Sequence, residues 1–581
     1  MTSTLERPAP IAATGAVKAR RRWLPASAGQ AVVWTVVVLL VAGPVVPLVY
    51  SSLRSKPIYL PGGTFTFQAY QTLFADPLFW QAVTNTVWFA VATTILAVAG
   101  GTAMAILCGR TDLPGRKYYG LLLMGPIVIP PLGLLVGWLA IYGQSGYLTQ
   151  FVGHNLHLPV WNLSSLPGMS VVGAVVISPI AYLTVQSALA GTDSSLEDAA
   201  RSAGAGPLRV TARITLPMLR PAVLNCTLLI FAVCLEIMGI PLFLGAPSNI
   251  DFYASYLYRS WSSGVTPNPS FVSAGAVVLL VIVSGLLVVR SRLSGAEQRF
   301  IATGARGGGS YRPLELRRWR WPASVALGGY IAITSVIPIM GLLLMSCVRA
   351  LTTLEVPWHL FTSENWHRVV TDPTLRRSIV NSLLIAGGGG AATVLLVALA
   401  TLIAHRSGFP LRRALAPALI YPRAVPGVIL GIGFFWTYLM FMPGALVRNN
   451  LWGELIALCV RNLTLAYVVI YPSLARINAE FDRAARSSGA GWWTITRRIL
   501  LPILRPALLA AFVLMFVTLL SDYDPVVFLQ KPGTEVVGVT MLQYWQQGVV
   551  GPVAALAVVQ VVIVAVVLLL GARVLRRVRN A

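Results

Sequence analysis

Charged side chains are scarce in this sequence, and those that interrupt apolar runs stand out: Glu236, Arg423, Arg461, Asp522 and Asp524. Ionisable groups at membrane depth are costly, and they mark polar pathways, gates or mutually neutralising pairs. Arg423 lies beside Pro422 and close to Pro426, which suits either a gate or a cap on carbonyls freed by the prolines. Glu236 fits packing at a membrane edge as well as function, and Asp522 and Asp524 are expected at an outer, solvated end. Other chemistry has little support. His154 and His157 are three apart but have no carboxylate nearby, and Cys108, Cys226, Cys234, Cys347 and Cys459 show no C-x-x-C spacing, so no metal site is expected. The glycine cluster GARGGGS at 304–310 lacks the lysine of a phosphate-binding loop, and no G-x-x-x-x-G-K-[ST] occurs elsewhere. The chain is therefore expected to have no catalytic residues, to hold no cofactor and not to be an enzyme.

The elements that carry these residues are membrane helices. The chain has 581 residues, 56% of them hydrophobic and 11% charged, with a mean hydropathy of +0.74. Apolar runs of roughly 20 residues, enough to cross about 30 Å of hydrocarbon, recur as at 31–50, 171–189, 273–289, 323–345 and 553–571 and sum to about 12 spans. The net charge of +25 would suit nucleic acid only if the arginines formed soluble basic modules. They lie between spans instead, about three quarters of them on one face, so they set topology and place both termini in the cytoplasm. A multi-pass membrane protein is expected, touching the lipid bilayer and no nucleic acid. Trp138, Trp261, Trp436 and Trp545 read as interfacial anchors.

An internal repeat organises the spans. EDAARSAGAGPLRVTARITLPMLRPAVL at 197–224 aligns without a gap on DRAARSSGAGWWTITRRILLPILRPALL at 482–509, with 17 of 28 positions identical and a displacement of 285 residues. Upstream, GRTDLPGRK at 109–117 faces HRSGFPLRR at 405–413, and Pro126 and Pro130 face Pro422 and Pro426, at a displacement of 296. The difference is an insertion in the first half, placed around 147–167. The expected division is a cytoplasmic segment 1–29, a first half 30–289 with a loop at 191–217, a basic linker 290–322, a second half 323–572 with a loop at 476–502, and a tail 573–581. Six spans per half make the halves parallel repeats with a path between them.

Within each loop, acidic residues open a short helix at the positive end of its dipole, and Gly204 or Gly489 ends it in a left-handed turn. A second helical stretch leads back to the membrane at Pro217 or Pro502. Here the sequence resembles the permeases of bacterial binding-protein-dependent ABC importers, whose cytoplasmic loop reads E-A-A-x-x-x-G followed by I-x-L-P. It appears as DAARSAG and ITLP at 198–204 and 214–217, and as RAARSSG and ILLP at 483–489 and 499–502. Asn85-Thr86 and Asn381-Ser382, opening the second span of each half, belong to the same resemblance.

The resemblance implies an all-α membrane fold of two six-helix repeats in the bacterial inner membrane, and a solute importer powered elsewhere. Its partners would be two copies of an ABC ATPase, which bind ATP and Mg, and an extracytoplasmic solute-binding protein. The loops would dock on the ATPases through Glu197, Asp198, Ala199, Ala200 and Gly204, and through Asp482, Arg483, Ala484, Ala485 and Gly489. The motif's glutamate is replaced by Asp198 and Arg483, so the two contacts are expected to be unequal. Fusion of both halves, with FIATGARGGGSYRPLELRRWRW at 300–321 and PRAVPGVILGIG at 422–433, is similar to the ferric iron permease group. Thiamine, a phosphonate or a polyamine are the alternative cargoes. An ATPase-independent secondary transporter is the rival class.

Overall fold

The computed structural model describes residues 28–192, 195–262, 269–304, 313–349, 357–441 and 450–580. Among these residues the regular structure is helical, as expected where a bilayer leaves backbone groups no other partner than their own helix. In the first half the spans are α1 (Ala28–Ser52), α2 (Pro77–Arg110), the short α3 (Pro131–Tyr142), α4 (Leu166–Ala190), then the surface helix α5 (Ser195–Ser202) and the span α6 (Thr211–Glu236). A short helix α7 (Tyr253–Ser262) and the span α8 (Pro269–Arg290) complete it. The second half repeats the series as α9 (Arg317–Cys347), α10 (Pro373–Arg406), α11 (Gly427–Phe441), α12 (Trp452–Ala475), α13 (Glu480–Ser487), α14 (Trp492–Ser521), α15 (Val537–Gln546) and α16 (Val550–Arg577).

Ten helices among the described residues are long and apolar enough to span, or 11 if Arg412–Arg423 and Gly427–Phe441 are joined across their 113° bend. The expected number was about 12. The shortfall lies in the third span of the first half, which Pro126, Pro130 and Pro131 cut into Arg116–Leu122, Gly125–Val128 and Pro131–Tyr142. Each proline removes a donor and clashes with the preceding turn, so no piece is long enough to cross alone. The expected linker also differs at its start: the helix that contains α8 continues to Gly304. The glycines Gly307–Gly309 and Ser310 lie outside the described residues, as does the basic segment around Lys18–Arg22. The linker's end returns to the first half, where the Leu314 amide donates to the Arg110 carbonyl (2.8 Å) and the Asp112 amide to that of Leu314 (3.1 Å).

The halves interlock through the broken helices. α1 and α8 of the first half pack on α11 of the second, and α9 and α16 of the second pack on α3 of the first. Two glycines make this approach possible. A side chain on Gly137 would overlap the Pro338 carbonyl, and one on Gly433 would overlap that of Pro44. In a membrane, where association depends on packing, such backbone contact is a main source of helix adhesion. Burial of α3 and α11 also corrects the reading of two tryptophans. Trp138 is 5% exposed and Trp436 0%, and the Trp436 indole donates to Ser273 Oγ at 2.9 Å. They sit in the seam between halves because they ride on its central helices. Trp261 packs edge-on against Phe435 and Phe528, and Trp545 stacks on Phe243 at 5.2 Å.

Candidate functional site

The two repeated loops fold into matching elbows. In the first, α5 ends where the Gly204 amide donates to the Arg201 carbonyl (2.9 Å) and the Ala205 amide to that of Ala200 (3.0 Å). In the second, Gly489 donates to Arg486 (3.0 Å) and Ala490 to Ala485 (3.0 Å). The glycines have φ of +83° and +80°, the left-handed C-terminal turn that a Cβ disfavours. Beyond each turn, one π-type turn, Thr211–Thr215 or Thr496–Leu500, precedes the proline that starts the next span. Proline at 217 or 502 cannot donate to the turn before it, so the ladder there widens. Ala199, Ala484, Gly204 and Gly489 are exposed, as is Arg483, and Asp198 is half-exposed and pairs with Arg201 at 3.5 Å.

Glu197 and Asp482 point the other way. Glu197 is 2% exposed and Asp482 6%. Glu197 accepts from the Thr215 hydroxyl (2.9 Å) and faces Arg110 Nε at 3.7 Å, while Asp482 faces Arg406 Nη1 at 3.2 Å. The two arginines stand at the ends of α2 and α10. Each also donates to the end of the fourth span of its half: Arg110 to the Leu189 carbonyl (2.9 Å) and the Thr192 hydroxyl, Arg406 to the Leu474 (3.1 Å) and Ile477 carbonyls. Reading the sequence for chemistry passed over Arg110 and Arg406. The signal was there: both fall on one aligned position of the repeat, as do Glu197 and Asp482.

A second constellation joins the halves. Arg461, on α12, meets Asp524 at 2.7 Å and Asp522 at 3.2 Å through Nη1, and Glu236 at 4.0 Å through Nη2. The Asn462 amide donates to Asp522 Oδ2 at 3.0 Å. Glu236 is the last residue of α6 in the first half, and the two aspartates follow α14 in the second. Asp522 and Asp524 are thus largely buried, with 10% and 18% of their side chains exposed, rather than solvated at an outer end, because Arg461 draws them in. Gly427, the first residue of α11, lies so close that a side chain there would overlap the Arg461 guanidinium and the Asp524 side chain. Arg423 lies exposed just before the bend, and no ion pair joins it to this cluster among the described residues. Four charges scattered along the sequence, Glu236, Arg461, Asp522 and Asp524, are therefore one cluster at the seam, beside the break in α11's span.

On the face away from the elbows, the Asn-Ser/Thr pairs tie the short helices α7 and α15. Thr86 Oγ1 accepts from the Tyr253 amide (2.7 Å) and Asn85 donates to the Asp251 carbonyl (3.1 Å). Ser382 Oγ accepts from the Val537 amide (2.9 Å) and Asn381 donates to the Glu535 carbonyl (2.9 Å). These pairs cap the amides and preceding carbonyls that a helix start leaves open.

This is an interlocked double membrane fold with a glycine-ended elbow in each half, and comparison with known proteins gives its family. Residues 396–580 match the binding-protein-dependent transport system inner membrane component family. A molybdenum transport system permease protein of Escherichia coli (strain K12) is 32% identical over 164 residues, 28% of this chain and 69% of that protein. The chain belongs to this family of inner membrane components. More extended similarity is found to a putative ferric transport system permease protein of Haemophilus influenzae, 23% identical over 82% of this chain and 75% of that one. A ferric transport system permease protein of Actinobacillus pleuropneumoniae is 23% identical over 88% of this chain and 74% of its own length.

Proposed function

We propose that this chain forms the whole transmembrane pathway of an importer, with both termini and both elbows in the cytoplasm, and that each elbow docks on one subunit of a separate ATPase pair. The observation that carries this reading is the duplication of one exposed, glycine-terminated helix at matched positions of two interlocked halves. Small side chains at Ala199, Ala200, Ala484 and Ala485 leave room for a close-fitting cleft, and closure of the ATPase pair would rock the halves by alternating access. The contacts are unequal, because Asp198 offers a carboxylate where Arg483 offers a guanidinium. A solute-binding protein delivers cargo at the opposite face, and the charged cluster of Glu236, Arg461, Asp522 and Asp524, with Arg423 before the bend, lies on the path between halves. Similarity over most of the chain to permeases named for ferric transport favours ferric iron or a ferric complex as cargo, with molybdenum or putrescine suggested by shorter matches.

Replacing both Gly204 and Gly489 by valine tests the docking. A β-branched residue at φ near +80° costs about 1–3 kcal/mol of local strain, enough to reshape an exposed elbow without unfolding the spans. ATPase co-purification and uptake are expected to be lost while the permease stays folded in the membrane. Unchanged co-purification and uptake would remove the reading. Calorimetry of the cognate binding protein with ferric iron, a molybdenum oxyanion, thiamine, phosphonates and polyamines decides the cargo.

A further inference from the structure

The elbows are not free appendages: each is clamped to two spans by one arginine. We infer that Arg110 and Arg406 are positioning residues that make the elbow, the end of the second span and the end of the fourth span move as one body in each half. This inference rests on the proposed docking of the elbows for its functional meaning, but the clamp itself stands on geometry. Both arginines close their span, both reach a buried carboxylate on the first turn of the elbow helix (Glu197 or Asp482), and both donate to equivalent positions at the end of the fourth span and just beyond it, at 189 and 192 or at 474 and 477. The planar fork of guanidinium suits this work, since one side chain presents five donors in fixed directions and satisfies several carbonyl groups at once. Carbonyls at a helix C-terminus are left without intrahelical partners, so the arginine takes bonds that water would otherwise supply and ties the elbow to them.

The halves build the clamp with different parts. In the second, the short Asp482 meets Arg406 directly at 3.2 Å, and Arg486 donates to the Arg406 carbonyl at 3.1 Å. In the first, the longer Glu197 stands 3.7 Å from Arg110 and 3.9 Å from Arg201, the residue aligned with Arg486, and is also held by Thr215, on the π-type turn entering α6. The residue aligned with Thr215 is Leu500, which has no hydroxyl. The second elbow therefore leans more heavily on its arginine, and the first is tied to a third span as well.

Amide hydrogen exchange on the full chain in lipid nanodiscs reads the clamp without any ATPase. Arg406→Ala is expected to speed exchange of the Ser488, Gly489 and Ala490 amides by about tenfold or more, since bonds to charged groups of this kind are worth that factor. The Ala203, Gly204 and Ala205 amides should stay as they were. Arg110→Ala is expected to do the reverse, by a smaller factor because Thr215 still holds Glu197. Glu197→Gln and Asp482→Asn, which keep shape and remove charge, give the same local pattern should an alanine variant fail to fold. In the assembled transporter, each variant should lower the cargo moved per ATP hydrolysed while the ATPase still co-purifies, and Arg406→Ala combined with Asp482→Ala should be no worse than the poorer single variant. Unchanged exchange at the altered elbow, or equal acceleration at both elbows, overturns the clamp. Failure of the wild-type elbows to bind an ATPase would remove the docking reading and leave the exchange result intact.

Discussion

Arg461 is the residue on which the seam's charges depend. It faces three carboxylates, one of them, Glu236, from the other half. Taking ions out of water costs several kcal/mol each, so such a cluster adds little net stability but is expensive to break. Arg461→Ala is expected to lower stability by about 3–5 kcal/mol, read as a fall in thermal unfolding temperature in detergent, and Arg461→Ala with Asp522→Asn and Asp524→Asn should recover part of it. No recovery would mean that the carboxylates are not held by this arginine. The sequence made each charge conspicuous and left their association hidden, since Glu236 and Arg461 are more than 200 positions apart and lie in different halves, where only the tertiary fold brings them within 4.0 Å. Asp522 and Asp524 were misread as solvated for the same reason: their position at a helix end was visible, and the cation that buries them was not.

At the scale of elements, the broken third spans do the joining. Their prolines were plain in the sequence, and so was the need for some neighbour to satisfy the interrupted backbone. Which neighbour was not legible, because helix adhesion in a bilayer turns on backbone approach at single small residues. Gly137 and Gly433 are those residues, each against a proline carbonyl of the other half. Gly137→Val and Gly433→Val should each force the halves apart at the seam, costing about 1–3 kcal/mol as overpacking does, and together they should abolish uptake while the elbows still bind their ATPase. The same substitution at Gly125, where nothing lies near, should be tolerated; equal damage at Gly125 would argue against a seam-specific effect. The elbows were the most legible elements, since a duplicated segment with a glycine at a fixed place constrains its backbone locally. Their inward faces were less so, because a buried carboxylate and an exposed one look alike in sequence, and Glu197 and Asp482 turn out to hold the elbow rather than display it.

For the whole molecule, the fold is one design used twice with unlike details: Asp198 against Arg483 on the elbows, Thr215 against Leu500 behind them, and a charged seam supplied mostly by the second half. A doubled permease whose halves differ in this way should respond unequally when one ATPase contact is weakened. Ala199→Trp and Ala484→Trp, each enlarging one exposed elbow, are expected to lower uptake by different factors, and identical losses would show that the asymmetry has no functional weight. The measurement that bears most directly on the account is uptake into proteoliposomes made with this chain, the proposed ATPase and the proposed binding protein. Cargo should enter only when ATP is supplied on the ATPase side and the binding protein on the other, and a proton or sodium gradient across liposomes holding the chain alone should drive none. Clear gradient-driven uptake by the chain alone would contradict the account.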